Sequence, residues 1–415
     1  MEKKTRGSNL ERVLFATLER RRQQSTLRRL TTYPPGSIDF STNDFLSLAQ
    51  SPALRKAFLG ELNTQPAQSA SGSGGSRLLD GNSTYAEQLE RDIAAFHGAL
   101  DGLLCNSGFD ANVGIFSCLP QPGDVVIYDE YIHASVHDGM RASRTNHRIA
   151  FSHNSVSAFK LAVQKCIDED SALPTGSRNV FIAVEAIYSM DGDVAPLKEI
   201  VAVVDELLPV GNGHIIVDEA HSTGVLGPKG RGLVNALGLE SKISIRLHTF
   251  GKAMACNGAI ILCAPLIRQY LVNYARPLIY TTFLSYPALA AIKSSYAMLM
   301  DGRSSELQDK LFVLITLFHD LLLQLQAEEH PGLLLCVPAS CPPSPIFSIL
   351  SSDPRGLATF CQQAGLIVRP IVPPTVPIGA ERIRVCLHAG NTTQEIETLV
   401  ARIKAWVKVT RNAKL

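Results

Sequence analysis

From about residue 70 onward the chain alternates short, almost wholly apolar runs with stretches of helical periodicity, and no other feature constrains its fold as much. The apolar runs are Gly102–Cys105, Asp124–Tyr128, Arg148–Phe151, Val180–Glu185, His214–Asp218, Arg246–Thr249 and Ala259–Cys263. Helical spacing lies between most of them, as in Thr84–His97 and Ala158–Ile167. Strands that are apolar along nearly their whole length are covered on both faces, which is the condition of a parallel sheet between helical layers. The chain is therefore expected to be α/β, with a mostly parallel seven-stranded sheet in its large domain.

The flanks read differently. Leu10, Val13, Leu14 and Leu18 recur at helical spacing and predict an amphipathic helix over residues 9–22. A turn at Tyr33-Pro34-Pro35-Gly36 follows, and Ser41–Leu46 reads as the end of a short strand and a cap. Beyond about residue 285 come long helical stretches (Pro287–Met300, Ser304–Leu325), a proline-rich segment and a compact α+β pattern ending in a helix over Thr393–Val407. The expected division is a helical arm and joining segment (1–69), a large ligand-binding domain (70–285) and a smaller C-terminal α+β domain (286–415).

Composition removes several classes of function. Hydrophobic residues make up 46% and charged residues 19% of the 415, enough for a sizeable core and unlike a disordered chain. The net charge of +1 gives no electrostatic footprint for nucleic acid. Nine of the 39 basic residues and three of the 38 acidic ones fall in residues 1–30, which reads either as a solvated basic helix or as an anion-binding arm. The nine cysteines include no C-x-x-C pair, so neither a structural zinc site nor a disulfide framework is expected, and no metal is assigned. Cys105, Cys118, Cys256, Cys263, Cys336 and Cys386 lie in apolar runs and should pack as small hydrophobes. The longest uncharged stretch, Pro331–Ser352, is broken by five prolines, so no membrane span is expected there. The N-terminus has no apolar core of a secretory signal.

Ligands of open α/β sheets sit beyond the carboxyl ends of the strands. The polar groups placed there are Ser107-Gly108-Phe109, Tyr131-Ile132-His133, Glu185 with Ser189, Asp218 with His221, and Thr249 with Lys252. Taken singly, Asp218 reads as a helix cap or ion-pair partner, His221 as a satisfied core histidine and Lys252 as a surface residue. The apolar run Ala253–Ile261 after Lys252 draws the lysine into a buried region, where its amine becomes a nucleophile. Gly108 before a helix (expected from Asn112 to Cys118) offers free N–H groups to a phosphate. Together these meet the requirements of pyridoxal 5′-phosphate (PLP): a lysine, an acid for the ring nitrogen, a phosphate cup and a ring to stack on.

The chain resembles the α-oxoamine synthases of PLP fold type I over nearly its whole length, from about Leu10 to Val407. The motifs that carry the resemblance are Gly72–Asn82 (GSGGSRLLDGN), Val217–Gly227 (VDEAHSTGVLG), Thr249-Phe250-Gly251-Lys252, and Val372–Pro377 with Arg382-Ile383-Arg384. The resemblance implies catalytic roles for Lys252, His133, Asp218 and His221. Lys252 carries the Schiff base, Asp218 partners the ring nitrogen and His133 stacks on the ring. His221 and Ser189 reach the region of its 3′-oxygen, while Gly108, Phe109 and Thr249 hold the phosphate. Thr281 or Thr282 reaches the phosphate of a neighbouring subunit, which implies a homodimer. Asn43 and Glu185 lie near the acyl-CoA carbonyl, Arg384 takes a substrate carboxylate, and Arg28 takes the distal carboxylate of the acyl chain. The first and last motifs lean towards the branch that condenses L-alanine with pimeloyl-CoA on the way to biotin. A sibling enzyme with another amino acid or acyl thioester, and a non-catalytic subunit of the same fold, are the alternatives. The chain departs from the family's usual pattern at Phe45 and Ser47, at Ala253–Asn257 and at Leu387–Thr392. It ends Ala413-Lys414-Leu415, one small-for-small change from Ser-Lys-Leu, so a peroxisomal import receptor is an expected partner, with the cytoplasm as the alternative location.

Overall fold

The computed structural model describes residues 8–24, 26–64, 71–330 and 332–412. The expected peroxisomal address, residues 413–415, lies outside the described residues. The chain divides into two compact units, Met1–Ser37 and Ile38–Leu415. In the first, a helix α1 (Asn9–Gln23) is opened by a capping box in which Ser8 and Glu11 exchange hydrogen bonds, and no residue of this helix is buried.

The second unit is built on a seven-stranded sheet: β1 (Asp101–Cys105), β2 (Val125–Asp129), β3 (His147–Phe151), β4 (Val180–Glu185), β5 (Gly213–Asp218), β6 (Ile245–Thr249) and β7 (Ala259–Cys263). Its order is β1-β7-β6-β5-β4-β2-β3, and β7 alone runs antiparallel to its neighbours. Each strand lies within a residue of the run expected for it at either end. Every residue of β4 and β7 is buried, as the uninterrupted apolar runs require. Alternate residues feed two cores: Ile127, Ile182, Ile215 and Val217 on one face, Val126, Ala183, Ile216 and Leu247 on the other. Helix α2 (Gly108–Cys118) covers the second face with Ala111, Ile115 and Phe116.

Helix α2 begins four residues earlier than expected because Ser107 caps it: its Oγ accepts the Asp110 N–H at 3.0 Å and donates to Asp110 Oδ2 at 2.9 Å. The small sheet holds β8 (Leu335–Cys336), β9 (Ile346–Ser351), β10 (Arg369–Ile371) and β11 (Arg382–Cys386), in the antiparallel order β10-β11-β9-β8. The segment before the large sheet is stitched to this side: Ile38–Asp39 pairs in parallel with Leu366–Ile367, and the Phe40 and Phe45 carbonyls accept the N–H groups of Cys386 and Ala389. One hydrophobic core runs through Leu104, Phe250 and Phe283 into Phe318, Phe347 and Val385, so the packing has no break at residue 285.

Helix Ser305–Glu329 is long and apolar enough to cross a membrane by length and composition. Its Leu311, Leu314, Ile315, Phe318 and Leu322 instead belong to the shared core. Cys336 corrects an expectation: it lies at the end of two-residue β8 and is exposed, because so short an edge strand covers only one of its two side chains.

Candidate active site

A cavity of about 390 Å³ opens at the carboxyl ends of the large sheet. Five chain segments that leave the strands meet there: Asn106–Phe109 after β1, His133 after β2, Glu185 at the end of β4, Asp218 to His221 after β5, and Thr249 to Gly258 after β6. Asn112 of α2 and Asn43 complete the wall.

Glu185 and Asp218 are direct partners in the β4–β5 register, so both carboxyls leave the sheet on the same face, one strand spacing apart. Asp218 is engaged at both oxygens: Oδ1 accepts the Ala220 N–H and Oδ2 the Asn112 Nδ2, each at 2.9 Å. Glu185 has less support, a backbone hydrogen bond from His133. Burial, and then the adjacent Asp218 charge, push its carboxyl well above the usual carboxylate range. Of the two, Asp218 is the one held by hydrogen bonds at both oxygens, and Glu185 is the one pushed towards its protonated form.

Asn112 passes the organisation on. Its Nδ2 also donates to Ser135 Oγ at 3.0 Å, and Ser135 Oγ lies 2.7 Å from His133 Nδ1. His133 is the N-cap of helix Ala134–Arg141, its Nδ1 accepting the Ser135 N–H at 3.2 Å. An Nδ1 that accepts leaves the proton on Nε2. Burial agrees with this tautomer, lowering the ring's pKa against the pull of Asp218. Aspartate and histidine are thus fixed through one hydrogen-bonded chain.

Lys252 is held by the loop that follows β6. Phe250 N–H donates to Gly258 O at 2.9 Å, Cys256 N–H to Phe250 O at 2.8 Å and Ala255 N–H to Lys252 O at 2.9 Å. Phe250, Ala253 and Met254 are all buried in the core. Burial lowers the Lys252 ammonium from its ordinary value, Asp218 and Glu185 oppose the shift, and Arg384 adds to it. The net shift is downward, towards the neutral amine that acts as a nucleophile. His221 is buried too, and burial followed by Lys252 and Arg384 drives its pKa well down.

Three polar atoms around this cavity are buried with no partner: His221 Nδ1, Thr249 Oγ1 and Arg384 Nε. Buried groups of this kind cost stability unless a ligand or water satisfies them. Helix geometry leaves the first-turn N–H groups of α2 unpaired, and Ser107 takes only that of Asp110, so those of Gly108 and Phe109 remain for an external anion. A Cβ on Gly108 would lie 2.3 Å from Thr249 Cγ2, so only glycine lets the turn pack this closely on the threonine side chain. A lysine, a hydrogen-bonded aspartate, a neutral imidazole and an anion cup in one cleft fit PLP.

Residues 35–403 match the aminotransferase class I and II family. An 8-amino-7-oxononanoate synthase from Emericella nidulans is 54% identical over 95% of both chains. The chain belongs to the PLP-dependent α-oxoamine synthases. It is a PLP-dependent acyltransferase of the type found in biotin synthesis. An aminoacyl transferase sphA from Aspergillus fumigatus is 40% identical over 95% of this chain and 86% of its own length. Among solved structures, SPT with a PLP internal aldimine superposes with a TM-score of 0.82 at 26% identity, covering 97% of this chain and 99% of that one. The 8-amino-7-oxononanoate synthase of Francisella tularensis gives 0.70 at 28% identity, covering 91% and 100%.

In this α-oxoamine synthase Lys252, His133, Asp218, His221, Gly108, Phe109, Thr249, Asn43 and Glu185 line the one cavity. Arg384 stands behind it, its Nη2 donating to Asn43 Oδ1 at 2.8 Å. Ser189 does not line this cavity; it lines a neighbouring one of about 280 Å³ with Tyr131, Tyr188 and Arg382, because the hairpin that carries it turns towards the small sheet. Thr281 lines a narrow cleft beneath α2, and the Thr282 carbonyl accepts Asn106 Nδ2 at 2.6 Å. Neither threonine is at the cavity of its own chain. Arg28 lies exposed in the N-terminal unit. Sequence reasoning missed Asn112 and Ser135, which connect the aspartate to the histidine. The cap at Ser107 was the available signal for the first, since it places Asn112 one turn into the helix on the side of Gly108.

Proposed function

We propose that the chain catalyses the decarboxylative condensation of L-alanine with pimeloyl-CoA, giving 8-amino-7-oxononanoate, CoA and carbon dioxide. The observation that carries this reading is Arg384, a buried guanidinium bonded to Asn43 with its Nε unsatisfied beside the lysine cavity. A buried cation with a spare donor suits a substrate carboxylate. The Emericella nidulans relative, an 8-amino-7-oxononanoate synthase by name, supports this choice of product.

PLP, when bound, supplies the electron sink that stabilises negative charge at the amino-acid α-carbon. The chain's own residues do the rest. Lys252 would hold the cofactor through its amine and would take the α-proton of the amino acid. Asp218, backed by Asn112, would hold a proton at the ring nitrogen. His133, Thr249 and the α2 N-terminus would hold ring and phosphate, and His221 would attend the ring oxygen. A carbon–carbon bond forms between the alanine α-carbon and the thioester carbonyl, and the carbon–sulfur bond breaks to release CoA. The alanine carboxyl leaves as carbon dioxide, and Lys252 returns its proton to the α-carbon. Fixed orientation supplies much of the barrier reduction in such a site.

The sphA relatives favour a second reading, in which the same site joins another amino acid or acyl thioester. Release of CoA from a panel of acyl-CoAs and amino acids separates the two. With Arg28 reading the distal carboxylate, pimeloyl-CoA is expected to outcompete octanoyl-CoA by about ten- to a hundredfold, the value of one charge-assisted contact. Arg28→Ala is expected to remove most of that preference and to leave the spectrum of bound PLP unchanged. Equal use of the two thioesters by the unmodified chain would favour the second reading.

The proposal extends to assembly and location. The chain acts as a homodimer in which Thr281 and Thr282 serve the partner's phosphate site. It works in the peroxisome, addressed by Ala413-Lys414-Leu415. An N-terminal fluorescent fusion is expected to give puncta that become diffuse on deletion of Leu415. A diffuse signal from the intact tail would end the assignment.

A further inference from the structure

We infer that His153 is a positioning residue for the PLP site: by bridging Asp129 and Asp193 it fixes the Tyr188–Asp193 hairpin, which carries Ser189, against the Asp129–His133 loop, which carries the stacking histidine. The inference rests on the PLP assignment of the cavity and not on the identity of the acyl donor.

The geometry is two-sided. His153 Nδ1 lies 2.8 Å from Asp129 Oδ1 and its Nε2 lies 2.7 Å from Asp193 Oδ2. Carboxylates only accept, so both nitrogens must donate and the ring must be an imidazolium. Its own burial disfavours that charge, but the two hydrogen bonds outweigh it and raise the pKa to about 10. The ring therefore stays charged through neutrality and loses its proton only as pH rises through that value.

Each carboxylate anchors a different strand end. Asp129 closes β2, where its Oδ1 also accepts the Tyr131 N–H at 2.9 Å and its carbonyl accepts the Ile132 N–H at 3.0 Å, shaping the turn that delivers His133. Asp193 closes the hairpin: its carbonyl accepts the Tyr188 N–H at 3.0 Å, and Gly192 N–H donates to Tyr188 O at 2.9 Å. The flat of the imidazolium stacks on Tyr131, with centroids 4.4 Å apart, and its edge meets Tyr188 at 4.5 Å. Asn154, with φ of 51°, turns the chain so that its N–H reaches Asp129 at 2.8 Å while its side chain reaches Asp193. Glu130 Oε1 accepts the His153 N–H at 2.9 Å.

The hairpin's other side is held by the small sheet. Arg382 of β11 pairs with Asp191, Ser344 Oγ donates to Gly192 O at 2.6 Å, and a Cβ on Gly192 would lie 2.1 Å from Ile346 O. His153 is thus the cation that ties the hairpin back to the large sheet. None of its contacts is to a residue lining the lysine cavity, so its influence runs through the Asp129 turn that delivers His133.

The test uses the PLP-loaded full chain and two variants, His153→Ala and Asp193→Asn. The second is isosteric and sits at the half-exposed end of the bridge, so it decides the matter if the first does not fold. Visible circular dichroism of lysine-bound PLP, read with no substrate present, is expected to weaken in both variants. Borohydride-fixed PLP per chain and the unfolding midpoint of Asp193→Asn should stay near those of the unmodified protein. With L-alanine and pimeloyl-CoA, kcat is expected to fall about ten- to a hundredfold with little change in KM for alanine, as for a displaced orienting group. Unchanged dichroism and kcat in Asp193→Asn would overturn the inference. So would losses that merely track PLP release and a falling midpoint. If the substrate assignment itself is wrong, the unmodified protein does not turn over, and the dichroism comparison still decides the role of His153.

Discussion

Replacing Lys252 with alanine is expected to abolish turnover, by about a thousandfold or more, since one side chain is asked both to hold the cofactor and to carry the α-proton. Burial prepares the amine for both tasks, because the neutral form it favours is the form that attacks a carbonyl and accepts a proton. The fold should survive: Lys252 makes its one described hydrogen bond through its backbone carbonyl, to Ala255, and the anchors of its loop are Phe250, Ala253 and Met254. In the unmodified protein, borohydride is expected to fix PLP on a single peptide containing Lys252, and in Lys252→Ala to fix none. Label on a different lysine, or residual turnover above a few per cent, would sink the assignment.

Mixing two inactive proteins is expected to restore activity. Chains carrying Lys252→Ala and chains carrying Thr281→Ala with Thr282→Ala, reassorted into dimers, should leave about a quarter of all sites with every residue intact, as a two-fold assembly with shared sites requires. The basis is that neither threonine reaches its own cavity, while Thr282 is tied by its carbonyl to Asn106 at the cavity's rim. Activity should rise from background to a substantial fraction of the unmodified level. Hybrid dimers that form but stay inactive would refute the sharing of sites, and so would full activity in a species that sediments as a monomer.

The parts of the molecule legible in the sequence are those governed by a single strong constraint. The bounds of β4 and β7 follow from unbroken apolar runs, because strands buried on both faces cannot carry a charge except at their ends. The same logic exposed Glu185 and Asp218, charges that terminate such runs. Their different surroundings were not legible, since these depend on which carboxyl receives Asn112, a residue 106 positions from Asp218 in the chain. Asn112 carries no pattern of its own among the apolar residues of α2. Ser189 was placed by motif at the cofactor, but the path of its hairpin is set by Gly192 packing on Ile346 and by Asp191 meeting Arg382. Such contacts between distant segments leave no local periodicity to read. The helical arm was visible as an amphipathic pattern, yet its apolar residues Leu10, Val13, Leu14 and Leu18 are exposed, so the pattern reports a helix and does not name what it packs on.

The stitching of residues 38–45 to the C-terminal side bears on how the protein matures. Asn43 meets Arg384 across 341 residues of sequence, and the strand partners of Ile38 and Asp39 are Leu366 and Ile367. On the ribosome the N-terminal strap waits, with its backbone groups unpaired, until almost the whole polypeptide has emerged. The seven-stranded sheet can assemble before that, but the wall where Arg384 meets Asn43 cannot. Contacts of such long range slow folding and leave apolar segments such as Phe40 and Phe45 exposed in the interval. Completion of the catalytic cleft is therefore one of the last events of biosynthesis, and a nascent or C-terminally truncated chain has no finished site with which to act prematurely.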